Sequence, residues 1–113
     1  MFLKTLQVIA AIGTIVTGLV SLIWPNSVTG FTGLKPEGGR GITEIRAILG
    51  GVFIALGAAV LILNETAAYP MLGIMYLVIG VVRGVSMFVD KSVVSSNIIS
   101  LVVEFVFGIV LML

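Results

Sequence analysis

Four ionisable residues lie within long apolar runs or where such a run begins. Arg83 and Glu104 lie inside apolar runs, and Glu44 and Arg46 stand at the start of another. Ionisable residues inside a membrane are costly and usually paired, so each marks a candidate site for an ion, a proton or a ligand. The four charges sum to zero. The sequence therefore predicts that the two arginines neutralise the two glutamates.

A polar stripe surrounds Glu104. Asn97, Ser100 and Glu104 are spaced i, i+3 and i+7, which places them on one side of a helix. At about 1.5 Å per residue from the nearest polar turn, Arg83 lies roughly 10 Å deep and Glu104 roughly 18 Å deep. These depths let the long arginine side chain reach the glutamate.

We expect the four charges to form one network. Glu104 is predicted to be ionised and bonded to Arg83 or Arg46, with Glu44 taking the remaining arginine, because an isolated carboxylate at this depth would take up a proton. Such a network either fixes the register of the helices or binds and conducts an ion. The sequence leaves both interpretations open.

The missing residue types narrow the possible chemistry. The chain has no Cys and no His, so it lacks thiolate ligands, the commonest metal ligand and the commonest general base. We expect no catalytic residue, no metal and no cofactor. The net charge of +1 offers no basic surface for nucleic acid.

The composition predicts a membrane protein. Of 113 residues, 59% are hydrophobic and 10% are charged, and the mean hydropathy is +1.30. An ordinary soluble domain is about 45–50% apolar and about 25% charged. A chain this short has too little interior for so much apolar surface. We expect a single transmembrane domain over residues 1–113.

The hydropathy predicts four membrane spans. They cover residues 6–24, 43–63, 70–89 and 93–113, each near the length of about 20 residues that a bilayer requires. Pro25 ends the first span, and the glycine-rich residues 27–41 predict a loop. The expected fold is an all-α integral membrane four-helix bundle, antiparallel and up-down, with a longer first loop.

Small residues within the spans predict helix packing. Gly50 and Gly51 lie in the second span, and Gly80 and Gly84 lie in the third. Small residues let helix backbones approach closely in a membrane. These small residues indicate a compact bundle. The spacing Gly80-x-x-x-Gly84 also fits the interface of a homodimer.

The charged residues and the glycine pair together resemble a known family. The segment Glu44-Ile45-Arg46-Ala47, then Gly50-Gly51, then Arg83 and Glu104 resembles the small bacterial four-helix membrane proteins catalogued as domain of unknown function 4345. Members of that family often carry an aromatic residue where this chain has Leu49. The resemblance brings no assigned reaction, substrate or cofactor. It implies that Glu44, Arg46, Arg83 and Glu104 belong together.

The distribution of Lys and Arg predicts an orientation. Lys35, Arg40 and Lys91 lie at the membrane face that carries loops 1–2 and 3–4, whereas Lys4 lies at the other face. The positive-inside rule then makes these two loops cytoplasmic. We expect a multi-pass protein of the cell membrane, in bacteria the inner membrane.

Three functions remain open at this stage. The first is a non-catalytic module, either an accessory or assembly subunit or a homo-oligomer, with the lipid bilayer and other membrane subunits or itself as partners. The second is a small transporter or channel that uses Glu104 as an ion- or proton-linked site. The third, an enzyme acting on lipid or quinone, lacks a nucleophile or metal, so we expect no enzyme activity. A solvent-filled cavity reaching Glu104 would favour transport, and a fully bonded Glu104 would favour the module.

Overall fold

The computed structural model describes residues 1–113, which form helices and connections with no strand. The helices are α1 (Phe2–Ile23), α2 (Val28–Thr32), α3 (Gly38–Leu63), α4 (Ala68–Val89) and α5 (Ser95–Met112). All except α2 are long and apolar enough to cross a membrane. The prediction of an all-helical chain with four long apolar helices is confirmed.

The helix ends follow from single residues. Pro25 begins the 3-10 turn Pro25–Ser27 directly after α1, because proline cannot continue a helix. Asn64 caps α3 in the left-handed conformation, with a φ of 47°, which asparagine tolerates better than most residues. Pro70 lies in the first turn of α4, where its missing N–H costs no helical hydrogen bond.

The first connection contains more helix than expected. Residues 27–41 were predicted as a loop, but α2 occupies Val28–Thr32 and α3 already begins at Gly38. Val28 is fully buried and anchors α2 to the bundle. The glycines at 38–41 are weak helix formers, yet they form the first turn of a helix that continues into an apolar run. The loop prediction for Gly38–Gly41 is therefore wrong.

Helix α3 contains a π-helical segment, Ile45–Val52. Hydrogen bonds in a π-helix join residues five apart instead of four, so the segment rotates the following residues relative to a regular α-helix. The buried residues of α3 are Ile45, Gly50, Gly57 and Val60. This spacing departs from the four-residue repeat of Ala47, Gly51 and Ala55, which are exposed.

The long helices associate in two pairs. Helix α1 packs along α3 and α4 packs along α5, while smaller contacts of α1 with α5 and of α3 with α4 join the pairs. The Cα atoms extend over 43 × 30 × 17 Å, and the long dimension is close to the thickness of about 40–45 Å of a bilayer with its headgroups. Most large apolar side chains point outward. A contact core still exists between the pairs, and its buried members are Ala10, Ala11, Val60, Ala68, Tyr69, Leu72, Tyr76 and Leu111.

Candidate functional site

Arg83 of α4 and Glu104 of α5 form an ion pair between adjacent helices. The Arg83 Nε donates to Glu104 Oε1 at 2.8 Å and to Oε2 at 3.0 Å, and Nη2 donates to Oε2 at 2.7 Å. Both carboxylate oxygens are thus engaged by one guanidinium group. Bidentate pairing of this kind is stronger and more directional than a single contact.

Asn97 completes the group on the α5 side. Arg83 Nη1 donates to Asn97 Oδ1 at 2.9 Å, and Asn97 Nδ2 donates to the backbone oxygen of Ser92 at 2.9 Å. The amide is therefore held by the turn that precedes α5. We call Arg83, Asn97 and Glu104 the Arg83 cluster, which joins the middle of α5 to the last turns of α4.

The two charged side chains of the ion pair differ in their exposure to solvent. The Glu104 side chain is 11% exposed and that of Arg83 is 28% exposed. No buried side-chain nitrogen or oxygen in the chain lacks a hydrogen-bond partner. Both carboxylate oxygens of Glu104 therefore have partners on the inner side of the cluster, and the more exposed Arg83 forms its outer edge.

Two of the four predicted network residues lie elsewhere. Glu44 pairs with Arg40, one helical turn earlier on α3, and both side chains are exposed. Arg46 is exposed and forms neither a hydrogen bond nor a salt bridge through its side chain. The structure does not join Glu44 or Arg46 to Glu104, so the predicted four-residue network is reduced to one pair. The reason is local, because the helix that begins at Gly38 brings Arg40 and Glu44 into the i, i+4 relation.

The polar stripe of α5 is only partly used. Asn97 and Glu104 bond Arg83, whereas the half-buried Ser100 makes no side-chain hydrogen bond. Two serines that sequence reasoning missed lie close to the cluster instead. Ser86 and Ser92 line a groove together with Arg83 and Asn97. The spacing of Ser86, three residues after Arg83 on one face of α4, was the signal that could have identified it.

The predicted packing glycines divide into two groups. Gly50 faces α1, since a Cβ there would lie 3.3 Å from the Gly18 oxygen, and Gly80 lies under the ring of Phe105. Gly84 faces Leu101 of the same chain, so Gly80-x-x-x-Gly84 packs α4 on α5 and is not a free dimer seam.

Gly51 does not face another helix. It is exposed, and the nearest atom to an added Cβ is the Arg46 oxygen of the same helix at 4.0 Å. The packing prediction for Gly51 is therefore wrong, because in the π segment Gly50 is buried against α1 and the adjacent Gly51 faces outward. The closest approaches between helix backbones lie at Gly18, Gly57, Gly73 and Gly108.

A polar contact outside the Arg83 cluster links the two helix pairs. The hydroxyls of Thr14 and Tyr76 lie 2.5 Å apart in the core, and Thr14 Oγ1 also donates to the Ala10 oxygen at 2.8 Å. The Tyr76 ring meets Phe107 edge-on, with centroids 5.4 Å apart. The sequence shows that Tyr76 needs a partner but does not identify Thr14.

The site contains no grouping typical of metal binding. No cluster of three or more His, Cys, Asp or Glu side chains occurs in the chain. What the arrangement offers chemically is one guanidinium, one amide and one carboxylate, already bonded to one another. These groups are held in place by one another and can form hydrogen bonds in defined directions.

Comparison with known proteins identifies a family. Neither the curated proteins nor the solved structures include a match to the chain. A family model described as "Domain of unknown function (DUF4345)" matches residues 2–113, which is essentially the whole sequence. The chain, with its four long apolar helices, therefore belongs to the family of that description.

Proposed function

We propose that the chain is a non-catalytic membrane module whose four long helices cross the bilayer antiparallel and up-down as one domain. The order of contacts between α4 and α5 supports this arrangement. Gly73 approaches Gly108, and Arg83, later in α4, bonds Asn97, earlier in α5. Residue numbers therefore rise along one helix while they fall along the other.

The Arg83 cluster is the observation that carries the proposal. Sliding α5 by one turn would move Glu104 by about 5.4 Å and would break all three of its hydrogen bonds with Arg83. Unpaired charge inside a membrane is costly, so only one register keeps both groups satisfied. We infer that the cluster sets the register of α4 against α5.

Transport through Glu104 has less support. The groove beside the cluster is lined by Arg83 and Asn97 but not by Glu104. The carboxylate of Glu104 instead accepts three N–H contacts from one arginine, which leaves it committed to a partner within the chain.

The module would contact the lipid bilayer and bind other membrane subunits or a second copy of itself. The outward face of α3 exposes Ala47, Gly51 and Ala55, and small residues of this kind allow a helix of another subunit or of a second copy to approach closely. We propose an accessory or assembly role in the bacterial cell membrane, with no nucleic-acid partner and no cofactor.

The orientation follows from Lys35, Arg40 and Lys91, which lie in or next to the connections at one face. The positive-inside rule makes that face cytoplasmic and places both termini outside. A C-terminal reporter that is active only in the cytoplasm should be inactive. Strong reporter activity would reverse the orientation.

A flux measurement tests the proposal against transport. The purified chain, reconstituted in liposomes, should give proton and cation fluxes equal to those of protein-free liposomes. Glu104→Gln should change the stability of the protein and leave those fluxes unchanged. A flux that depends on Glu104 would contradict the proposal.

A further inference from the structure

A groove of about 370 Å³ runs along the outside of the α4–α5 pair, next to the Arg83 cluster. Its walls include Val78 and Val82 of α4, which are 55% and 59% exposed. Arg83, Ser86 and Ser92 contribute polar atoms to the same groove. The groove therefore opens outward, where a membrane protein meets lipid.

The polarity of the groove changes with depth. Ser92 lies in the turn between α4 and α5, and Ser86 lies four residues before Asp90, about 6 Å below the helix end. Val82 and Val78 lie about 12 and 18 Å below that end. The lining is thus polar near the membrane surface and apolar toward the middle.

The guanidinium group of Arg83, which lines the groove, keeps N–H donors that have no partner in the chain. An arginine carries five N–H donors, and in Arg83 one N–H on each nitrogen is used by Glu104 or Asn97. One N–H on each terminal nitrogen remains. The hydroxyls of Ser86 and Ser92 have no hydrogen-bond partner in the chain, although both serines line the groove.

We propose that this groove binds one glycerophospholipid of the surrounding leaflet. The phosphodiester oxygens accept hydrogen bonds from the free N–H groups of Arg83 and from the hydroxyls of Ser86 and Ser92. One acyl chain lies along Val78 and Val82. The proposal rests on the membrane placement proposed above.

Charge and shape favour a lipid over free phosphate. Arginine donors arranged as a planar fork match phosphate oxygens, which explains the polar end of the groove. Free phosphate would leave the exposed valines without a role. A phospholipid has its anionic group near the surface and its acyl chains deeper, the same order that the groove shows. Glu104 neutralises Arg83 from the inner side, so the lipid meets hydrogen-bond donors without a large unpaired positive charge.

Native mass spectrometry of the delipidated full-length chain in detergent tests the proposal. Three probes are titrated: phosphatidylglycerol, diacylglycerol with the same acyl chains, and inorganic phosphate. Phosphatidylglycerol should bind at least about tenfold more tightly than diacylglycerol, the ratio that one charge-assisted hydrogen bond provides. Inorganic phosphate should not bind in the same concentration range.

Two outcomes would overturn the proposal. Equal binding of phosphatidylglycerol and diacylglycerol would show that the groove takes up acyl chains without recognising phosphate. Binding of inorganic phosphate as strong as that of phosphatidylglycerol would assign the site to a free anion.

Serine variants locate the site without touching the ion pair. The double variant Ser86→Ala/Ser92→Ala should weaken phosphatidylglycerol binding by about tenfold. The control Ser95→Ala/Ser100→Ala removes two α5 hydroxyls that do not line the groove, and it should bind like the wild type. Equal affinities of the two double variants would place the lipid elsewhere and overturn the proposal.

The same variants separate this inference from the proposed function. Neither Ser86 nor Ser92 contributes a side chain to the Arg83–Glu104 pair, so the thermal unfolding of the serine variant should match that of the wild type. If a double-mutant cycle showed no energetic coupling between Arg83 and Glu104 while the chain still bound phosphatidylglycerol, only the proposed register role would be contradicted. Normal coupling with no preference for phosphatidylglycerol would contradict only the lipid site.

Discussion

The two helix pairs are held together by different means. In the α1–α3 pair, a Cβ at Gly18 would lie 2.8 Å from the Gly50 oxygen, and a Cβ at Gly57 would lie 2.8 Å from the Ala11 oxygen. The hydroxyls of Thr17 and Ser21 in α1 donate to their own helix. This pair therefore associates by close backbone contact, and the side chains of its seam carry no charge.

The α4–α5 pair uses close contact at one end and charge at the other. A Cβ at Gly73 would lie 3.0 Å from the Gly108 oxygen, so the backbones approach closely there. Toward the other end the pair is joined by Arg83 and Glu104. A bidentate pair adds a directional constraint that backbone contact alone does not supply. The comparison supports our proposal that the α1–α3 pair provides packing and that the α4–α5 pair also sets the register of its two helices.

The largest expected effect comes from leaving one buried charge without its partner. Glu104→Gln should lower the free energy of unfolding by about 3–5 kcal/mol, because the Arg83 guanidinium loses its counter-charge. The matched control is Glu44→Gln, whose exposed carboxylate pairs only with Arg40 and should cost about 0.3–0.5 kcal/mol. Unfolding in mixed detergent micelles measures both values. Equal losses would show that the Arg83 cluster contributes no more than a surface pair.

The next effect probes the close contact of α1 and α3. Gly57→Ala should cost about 1–3 kcal/mol, since the added Cβ meets the Ala11 backbone oxygen and the helices must separate. Gly51→Ala is the control, because the nearest atom to its Cβ is 4.0 Å away. It should not lower the stability and should raise it by at most about 1 kcal/mol, because alanine is the better helix former. If the two variants unfold at the same temperature, the helix faces assigned to α3 are wrong.

A smaller effect is expected where the two pairs meet. Tyr76→Phe removes the hydroxyl that contacts Thr14 and should cost about 0.5–1.5 kcal/mol. Thr14 keeps its bond to the Ala10 oxygen, which limits the loss. Thermal unfolding in detergent measures the change. A more stable Tyr76→Phe variant would show that the pairs are joined without this contact.

The smallest effect is expected at the N-terminal end of α1. Lys4 Nζ donates to Asn64 Oδ1 at 2.9 Å and lies 3.9 Å from the centre of the Tyr69 ring. Lys4→Met keeps the aliphatic stem and should cost at most about 1 kcal/mol at low salt. Repeating the unfolding measurement in high salt should reduce the difference from the wild type. A loss as large as that of Glu104→Gln would invert the proposed ranking.

The sequence predicted the four long apolar helices well, because each is a run of about 20 apolar residues, the length that a bilayer requires. Helix α4 begins two residues before the predicted limit and ends at it. Depth and the short turn between their helices made Arg83 a candidate partner of Glu104, but the residue pattern left Arg46 as an alternative.

The remaining features depend on backbone geometry that the residue pattern does not reveal. Nothing in Ile45–Val52 marks a π segment, so the residue pattern predicted helix packing at Gly51 as well as at Gly50, and only Gly50 packs. The glycines at 38–41 predicted a loop. Without a helix there, the i, i+4 pairing of Arg40 with Glu44 could not be predicted. The groove beside Arg83 requires two helices in a known register before Ser86 and Ser92 can be placed together.

A double-mutant cycle on Arg83 and Glu104 tests the central claim most directly. Unfolding free energies are measured for the wild type, Arg83→Gln, Glu104→Gln and the double variant. We predict that the double variant loses much less than the sum of the single losses, with a coupling energy of about 2–3 kcal/mol, because it removes both charges together. Losses that add without coupling would contradict the claim that this pair sets the register of α4 and α5.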